Sequence, residues 1–110
     1  MIDSICIIIS KPQGDERALL GILFSWSTLM AAAETKVLCI DEGVFNLIES
    51  RSESSKLLKK FLSEKGDISC PRTSLLERGL KETLLFDGVN LLDDEEIPSL
   101  ISSCESTAYF

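Results

Sequence analysis

Apolar positions along this chain fall into two kinds of block: short unbroken runs, and longer stretches with a helical period. Ile5-Cys6-Ile7-Ile8-Ile9 and Lys36-Val37-Leu38-Cys39-Ile40 are unbroken and rich in β-branched side chains, the pattern of strands buried on both faces. A long helix is predicted between them. Asp15 is placed to cap it, and Glu16 sits in its first turn, where negative charge is favoured. Leu19, Ile22, Leu23, Trp26, Leu29, Met30 and Ala33 form one apolar stripe, and Leu20, Phe24 and Ala31 form a second. A helix apolar on more than one side is covered on more than one side, so the extra cover here is expected from another subunit.

The second half repeats the alternation in shorter pieces. Ser55 is predicted to cap a helix that turns Leu57, Leu58, Phe61 and Leu62 inward and leaves Lys56, Lys59 and Lys60 in solvent, with Gly66 ending it. Asp67-Ile68-Ser69 reads as a third strand, Val89-Asn90-Leu91-Leu92 as a fourth after the Asp87-Gly88 turn, and residues 106–110 as the last. A short helix follows the third strand, and another starts at the acids from Asp93 with Pro98 in its first turn and Leu100 and Ile101 inward. Residues 44–49 fit a short helix or a turn, and residues 81–86 a helical turn or a strand. Strand–helix alternation of this kind predicts a single α/β domain over residues 1–110, with a mostly parallel five-stranded sheet and helices on both faces. Ligands of such sheets bind beyond the carboxyl ends of the strands. Three segments gather there: residues 10–14, residues 41–43, and Cys70 with Arg72. Arg72, Gln13 and Asp41 are therefore the candidate substrate-binding residues.

Charge and composition narrow the chemistry. The 110 residues carry 11 Lys+Arg against 18 Asp+Glu, a net −7, which disfavours nucleic acid or an anionic membrane as a partner. No histidine is present, so mechanisms built on an imidazole base, and zinc sites with histidine ligands, are excluded. Cys6, Cys39, Cys70 and Cys104 lie 33, 31 and 34 residues apart with no CxxC pair, and no metal site is expected. The start, Met1-Ile2-Asp3-Ser4, has an acid and no basic residue, so no signal peptide is expected and the compartment is read as cytoplasmic and reducing. Residues 18–33 run 16 positions without a charge, short of the ~20 that a spanning helix needs.

Cys70 is the candidate for chemistry. Pro71 suits the first position of a helix and Gly79 the position after its end. That reading puts Cys70 at the N-cap, where unpaired N–H groups and the positive end of the dipole favour a thiolate. Arg72 adds positive charge nearby. Neither GxGxxG nor GxxxxGK[ST] occurs, which weakens a nucleotide-binding reading. A hydrolase lacks the histidine to activate a serine.

The ordered set of parts resembles the DsrE/DsrF/DsrH and TusB/TusC/TusD family of small sulfur-relay proteins. The resemblance rests on the apolar first strand, the helix from Asp15, the VLCIDEGV run at residues 37–44, Cys70 followed by Glu77-Arg78-Gly79-Leu80, and an ending with an aromatic-terminated last strand. It implies a flavodoxin-like three-layer fold, no metal or organic cofactor, and assembly into homo- or hetero-oligomers (dimers, trimers or hexamers). It also implies that Cys70 accepts sulfur as a persulfide from a donor protein and passes it to an acceptor protein. The alternative within the family is an inert structural or regulatory subunit, toward which the DsrF/TusC-like ending points. A second thiol, if one resolves the persulfide, has to come from Cys104, another subunit or a partner.

Overall fold

The computed structural model describes residues 3–110; Met1 and Ile2, the start of the segment read for a leader, lie outside the described residues. The first apolar run forms β1 (Ser4–Ile9), and its five isoleucine and cysteine positions alternate between two cores. Then follow α1 (Glu16–Met30), β2 (Glu34–Cys39), a 3₁₀ helix (Asp41–Leu47), α2 (Glu53–Ser63), β3 (Asp67–Pro71), α3 (Arg72–Glu77), a 3₁₀ turn (Glu82–Leu84), β4 (Asn90–Leu92), α4 (Glu96–Ser102) and β5 (Ser106–Tyr109). All five strands are parallel, in the order β4-β3-β2-β1-β5. The expected α/β sheet with helices on both faces is what forms.

The two faces are unequal. Ile5, Ile7, Ile9, Val37, Cys39, Ile68 and Cys70 point toward α1, α2, α3 and the first 3₁₀ helix, meeting Ile22, Leu47, Leu58, Phe61 and Leu75 in the main core. Cys6, Ile8 and Leu38 point the other way, where Ile97, Leu100 and Ile101 of α4 cover them. Full burial of one such side chain stabilises the fold by ~1.5–3 kcal/mol. The connections after β3 and β4 thus leave on opposite faces of the sheet, the arrangement that opens a crevice between neighbouring strand ends.

Two sequence expectations are corrected and one open choice is decided. The inward face of α1 is Ala18, Gly21, Ile22 and Ser25, while Leu19, Leu23 and Met30 are exposed beside Leu20 and Phe24. Small residues let this helix close on the sheet: Gly21 lies against the Ile9 side chain and Phe110. The helical period is as predicted and its phase is rotated. α2 is capped by Ser52, whose hydroxyl accepts from the Ser55 N–H at 3.1 Å, so the cap lies three residues earlier than expected. Of the two alternatives for residues 81–86, the helical turn forms, as the 3₁₀ turn Glu82–Leu84, and Leu85 then bridges back to Ile48.

Gly43 is required where the first 3₁₀ helix crosses the end of β1, because a Cβ there would run into the Ile9 carbonyl oxygen. Gly43→Ala is therefore expected to cost about 1–3 kcal/mol, the usual range for overpacking against a fixed neighbour. Urea denaturation measures it, and a loss under about 0.5 kcal/mol contradicts this packing.

Candidate functional site

The carboxyl end of β3 is built from Cys70 and Pro71. The sequence places Cys70 at the N-cap of the following helix; in the structure that position belongs to Pro71, at φ −71° and ψ 138°. The physical reason is that proline's fixed φ also suits an extended residue, so the strand runs through Pro71 and α3 starts at Arg72. Cys70 becomes an interior strand residue with 0% exposure, packed in the main core. Burial, and secondarily the Glu82 carboxylate, push its thiol up from 9.0 to about 11, against a smaller lowering by Arg72. At neutral pH a thiol of that kind is ionised in only about one molecule in ten thousand.

Arg72 is engaged elsewhere. Its Nη1 donates to Asp93 Oδ1 at 3.2 Å and its Nε lies 3.4 Å from Glu82 Oε1. Thr73 Oγ1 donates to Asp94 Oδ1 at 2.8 Å. These contacts draw the start of α3 to the start of the β4–α4 connection, across the crevice where the two connections part. An open groove of about 560 Å³ runs between α3 and the 3₁₀ turn, walled by Leu75, Leu76 and Leu80 with Arg72, Lys81 and Glu82 at its rim. Cys70 does not line it.

Asp41 and Gln13 complete the set named from the sequence. Asp41 follows β2 with φ 50°, and its N–H donates to Ser74 Oγ of α3 at 3.1 Å, so the structure brings Asp41 and α3 together. Its carboxylate is exposed. Gln13 lies exposed at the tip of the β1–α1 loop, with no side-chain hydrogen bond to Asp41, Arg72 or Cys70. That loop is held by a residue the sequence did not single out: Asn46 Nδ2 donates to the Lys11 and Gly43 carbonyl oxygens at 2.8 and 2.9 Å, while its buried Oδ1 has no partner. No motif marks Asn46 in advance.

The second thiol near Cys70 is Cys39, not Cys104. Val37 pairs with Ile68 and Leu38 with Ser69, a register that carries on to set Cys39 beside Cys70 in the same core. Cys39 is also fully buried, and its thiol is raised by burial and by Cys70. Aligning the ends of the two predicted strands would have found this neighbour. Cys104 belongs to the opposite face, packed with Cys6. Among the described residues no cluster of three or more His, Cys, Asp or Glu side chains is placed to hold a metal ion. Among the described residues no helix is long and apolar enough to cross a membrane.

Comparison with known proteins adds to this geometry. The model of the DsrE/DsrF-like family matches residues 3–108. The uncharacterized protein MK0008 of Methanopyrus kandleri is 24% identical over 115 residues, covering 99% of this chain and 95% of its own. The crystal structure of the ychN protein from E. coli superposes with a TM-score of 0.84 at 14% identity, over 100% of both chains. MTH1491 of Methanobacterium thermoautotrophicum, a protein of unknown function, superposes with a TM-score of 0.75 at 18% identity, over 97% of this chain and 96% of its own. At those identities the two structures establish the fold alone.

The buried thiols set a pH dependence. Cys6 and Cys70 are both raised from 9.0 to about 11 in the folded chain. Between those values the unfolded chain has lost protons that the folded chain keeps, so stability is full below about pH 9 and falls as pH rises toward 11. The urea midpoint is expected to hold steady between about pH 7 and 8.5 and to drop above about 9, less steeply in Cys70→Ala. A midpoint unchanged at pH 10.5 contradicts the burial of these groups.

Proposed function

We propose, from the fact that this chain belongs to the DsrE/DsrF-like family, that it serves as a structural or regulatory subunit of an oligomeric, sulfur-relay-type assembly. In this reading Cys70 is held as a thiol and is not the sulfur acceptor. The observation that carries it is the seal over Cys70: 0% exposure, a thiol raised to about 11, and an arginine committed to Asp93 and Glu82. A relay needs the reverse, because the thiolate is the nucleophile and the attacking sulfur must be reachable.

The surface for assembly is α1. Leu20 is 54% exposed and Met30 65%, with Leu19, Leu23 and Phe24 beside them, and Phe24 packs on Phe110 at a ring separation of 5.6 Å. These side chains, drawn from both predicted stripes, stay exposed on the outer side of α1, and contiguous exposed apolar surface marks an association site. The partners are further copies or related subunits, together with the sulfur donor and acceptor proteins that the assembly serves. A reducing compartment such as the cytoplasm suits four unpaired cysteines.

A second reading, sulfur carriage as a persulfide on Cys70 with Arg72, Gln13 and Asp41 framing the substrate, is favoured by one observation. Cys70 lies at the end of β3, where the connections of β3 and β4 part to opposite faces, the usual ligand position in such sheets.

One experiment separates the two. The native chain is incubated at pH 7.5 with a low-molecular-weight persulfide donor and mapped by peptide mass. The subunit reading expects no added sulfur on Cys70 unless urea is present; an adduct on native Cys70, absent from Cys70→Ser, overturns it in favour of carriage. Light scattering tests the surface: the wild type is expected to be oligomeric and the Leu20→Glu/Phe24→Glu double variant monomeric. A monomeric wild type at micromolar concentration contradicts the assembly role.

A further inference from the structure

Cys6 and Cys104 form a second meeting of thiols, on the face of the sheet away from Cys70. Cys6 stands in the middle of β1 with 0% exposure, and Cys104 comes down on the Cys6, Ile8 and Leu38 cluster from the bend after α4. The two cysteines differ in one decisive respect. Cys104 is partly exposed, whereas Cys6, Cys39 and Cys70 are all buried.

A cation attends the pair. Cys6 is in direct register with Lys36 of β2, and paired residues on neighbouring parallel strands share a face. Lys36 Nζ reaches Ser103 Oγ at 3.4 Å, and that hydroxyl lies 3.9 Å from Cys104 Sγ. Glu34, 3.7 Å from the same ammonium, is the nearby anion. The thiol of Cys6 is raised by burial and by its neighbour Cys104, and is lowered by Lys36. A partly exposed thiol with a sealed thiol beneath it has the layout of an attacking cysteine and a resolving one.

We propose that Cys104 and Cys6 are a redox-active dithiol that closes a reversible intrachain disulfide when a peroxide reaches Cys104. The Cys104 thiolate attacks a peroxide oxygen, the O–O bond breaks to leave a sulfenic acid, and the departing hydroxide takes up the proton that the thiol had released, giving water. The Cys6 sulfur then attacks the Cys104 sulfur; the S–O bond breaks and the hydroxide leaves with the Cys6 proton as a second water. In sum, two thiols and hydrogen peroxide give one disulfide and two waters. Lys36 is a positioning residue: its ammonium donates to Ser103 Oγ and so holds the segment that carries Cys104 over Cys6. Closure ties the centre of β1 to the segment between α4 and the edge strand β5, a long covalent loop that restricts the unfolded chain. This inference goes beyond the role proposed above and does not depend on it.

The test is native oxidation of the full chain with equimolar hydrogen peroxide, followed by non-reducing peptide mapping. Expected is the loss of two hydrogens, a single Cys6–Cys104 crosslink reversed by dithiothreitol, and a thermal midpoint higher by several degrees in the oxidised form. Cys39 and Cys70 stay alkylatable on unfolding. Cys104→Ser, a change at a partly exposed position, abolishes the crosslink, and Cys70→Ser leaves it intact. Lys36→Gln slows closure several-fold at pH 7 and gives the same product. Four free thiols after oxidation, a Cys104–Cys104 link between chains, or Cys104 overoxidised while Cys6 stays free overturns the proposal.

Discussion

Pro71 has no N–H to give and little freedom in φ, and these two properties govern how β3 hands over to α3. With ψ at 138° it continues the strand by one residue and becomes the helix cap itself. The effect on its neighbour is large. A cysteine at a cap faces free N–H groups and solvent; a cysteine one residue earlier in a central strand faces only side chains. Cys70 takes the second place, and its burial is the observation on which the proposed subunit role rests.

The same parallel sheet sorts all four cysteines. Two neighbouring strands put Cys39 and Cys70 side by side under α1, α2 and α3, both without exposed surface. On the thinner face, covered by α4 alone, Cys6 meets Cys104 close to solvent and to Lys36. Sheet geometry thus yields one pair sealed throughout and one with a partly exposed member, though the four cysteines are almost evenly spaced along the chain. The exposed side of α1 has the same origin. The helix presents its small residues to the sheet, and the leucines and phenylalanine left over form the surface assigned to assembly.

Much of this architecture was legible in the sequence, because long apolar runs and strong helical periods leave few alternatives. The strands around Ile7 and Val37, the helix capped by Asp15, the αL turn at Gly79 and the terminal strand all fall where pattern and capping chemistry put them. Phase and single-residue position were not legible. Ala18, Gly21 and Ser25 turn inward on α1 because of how closely a helix approaches a sheet, a tertiary matter that local hydrophobicity does not encode. Proline's fixed φ is compatible with an extended cap as well as with the first helical position, so the Cys70-Pro71-Arg72 run alone does not fix which residue ends the strand. Register between strands, which brings Cys39 to Cys70 and Lys36 to Cys6, is likewise a property of the assembled sheet.

The pH dependence of Cys70 alkylation in the native chain, resolved residue by residue by mass, tests the central claim most directly. The account predicts little labelling of Cys70 below pH 9 and a midpoint near the raised value of about 11. A midpoint well below the ~8.5 of a free cysteine contradicts it, and returns Cys70 to the role of an activated nucleophile.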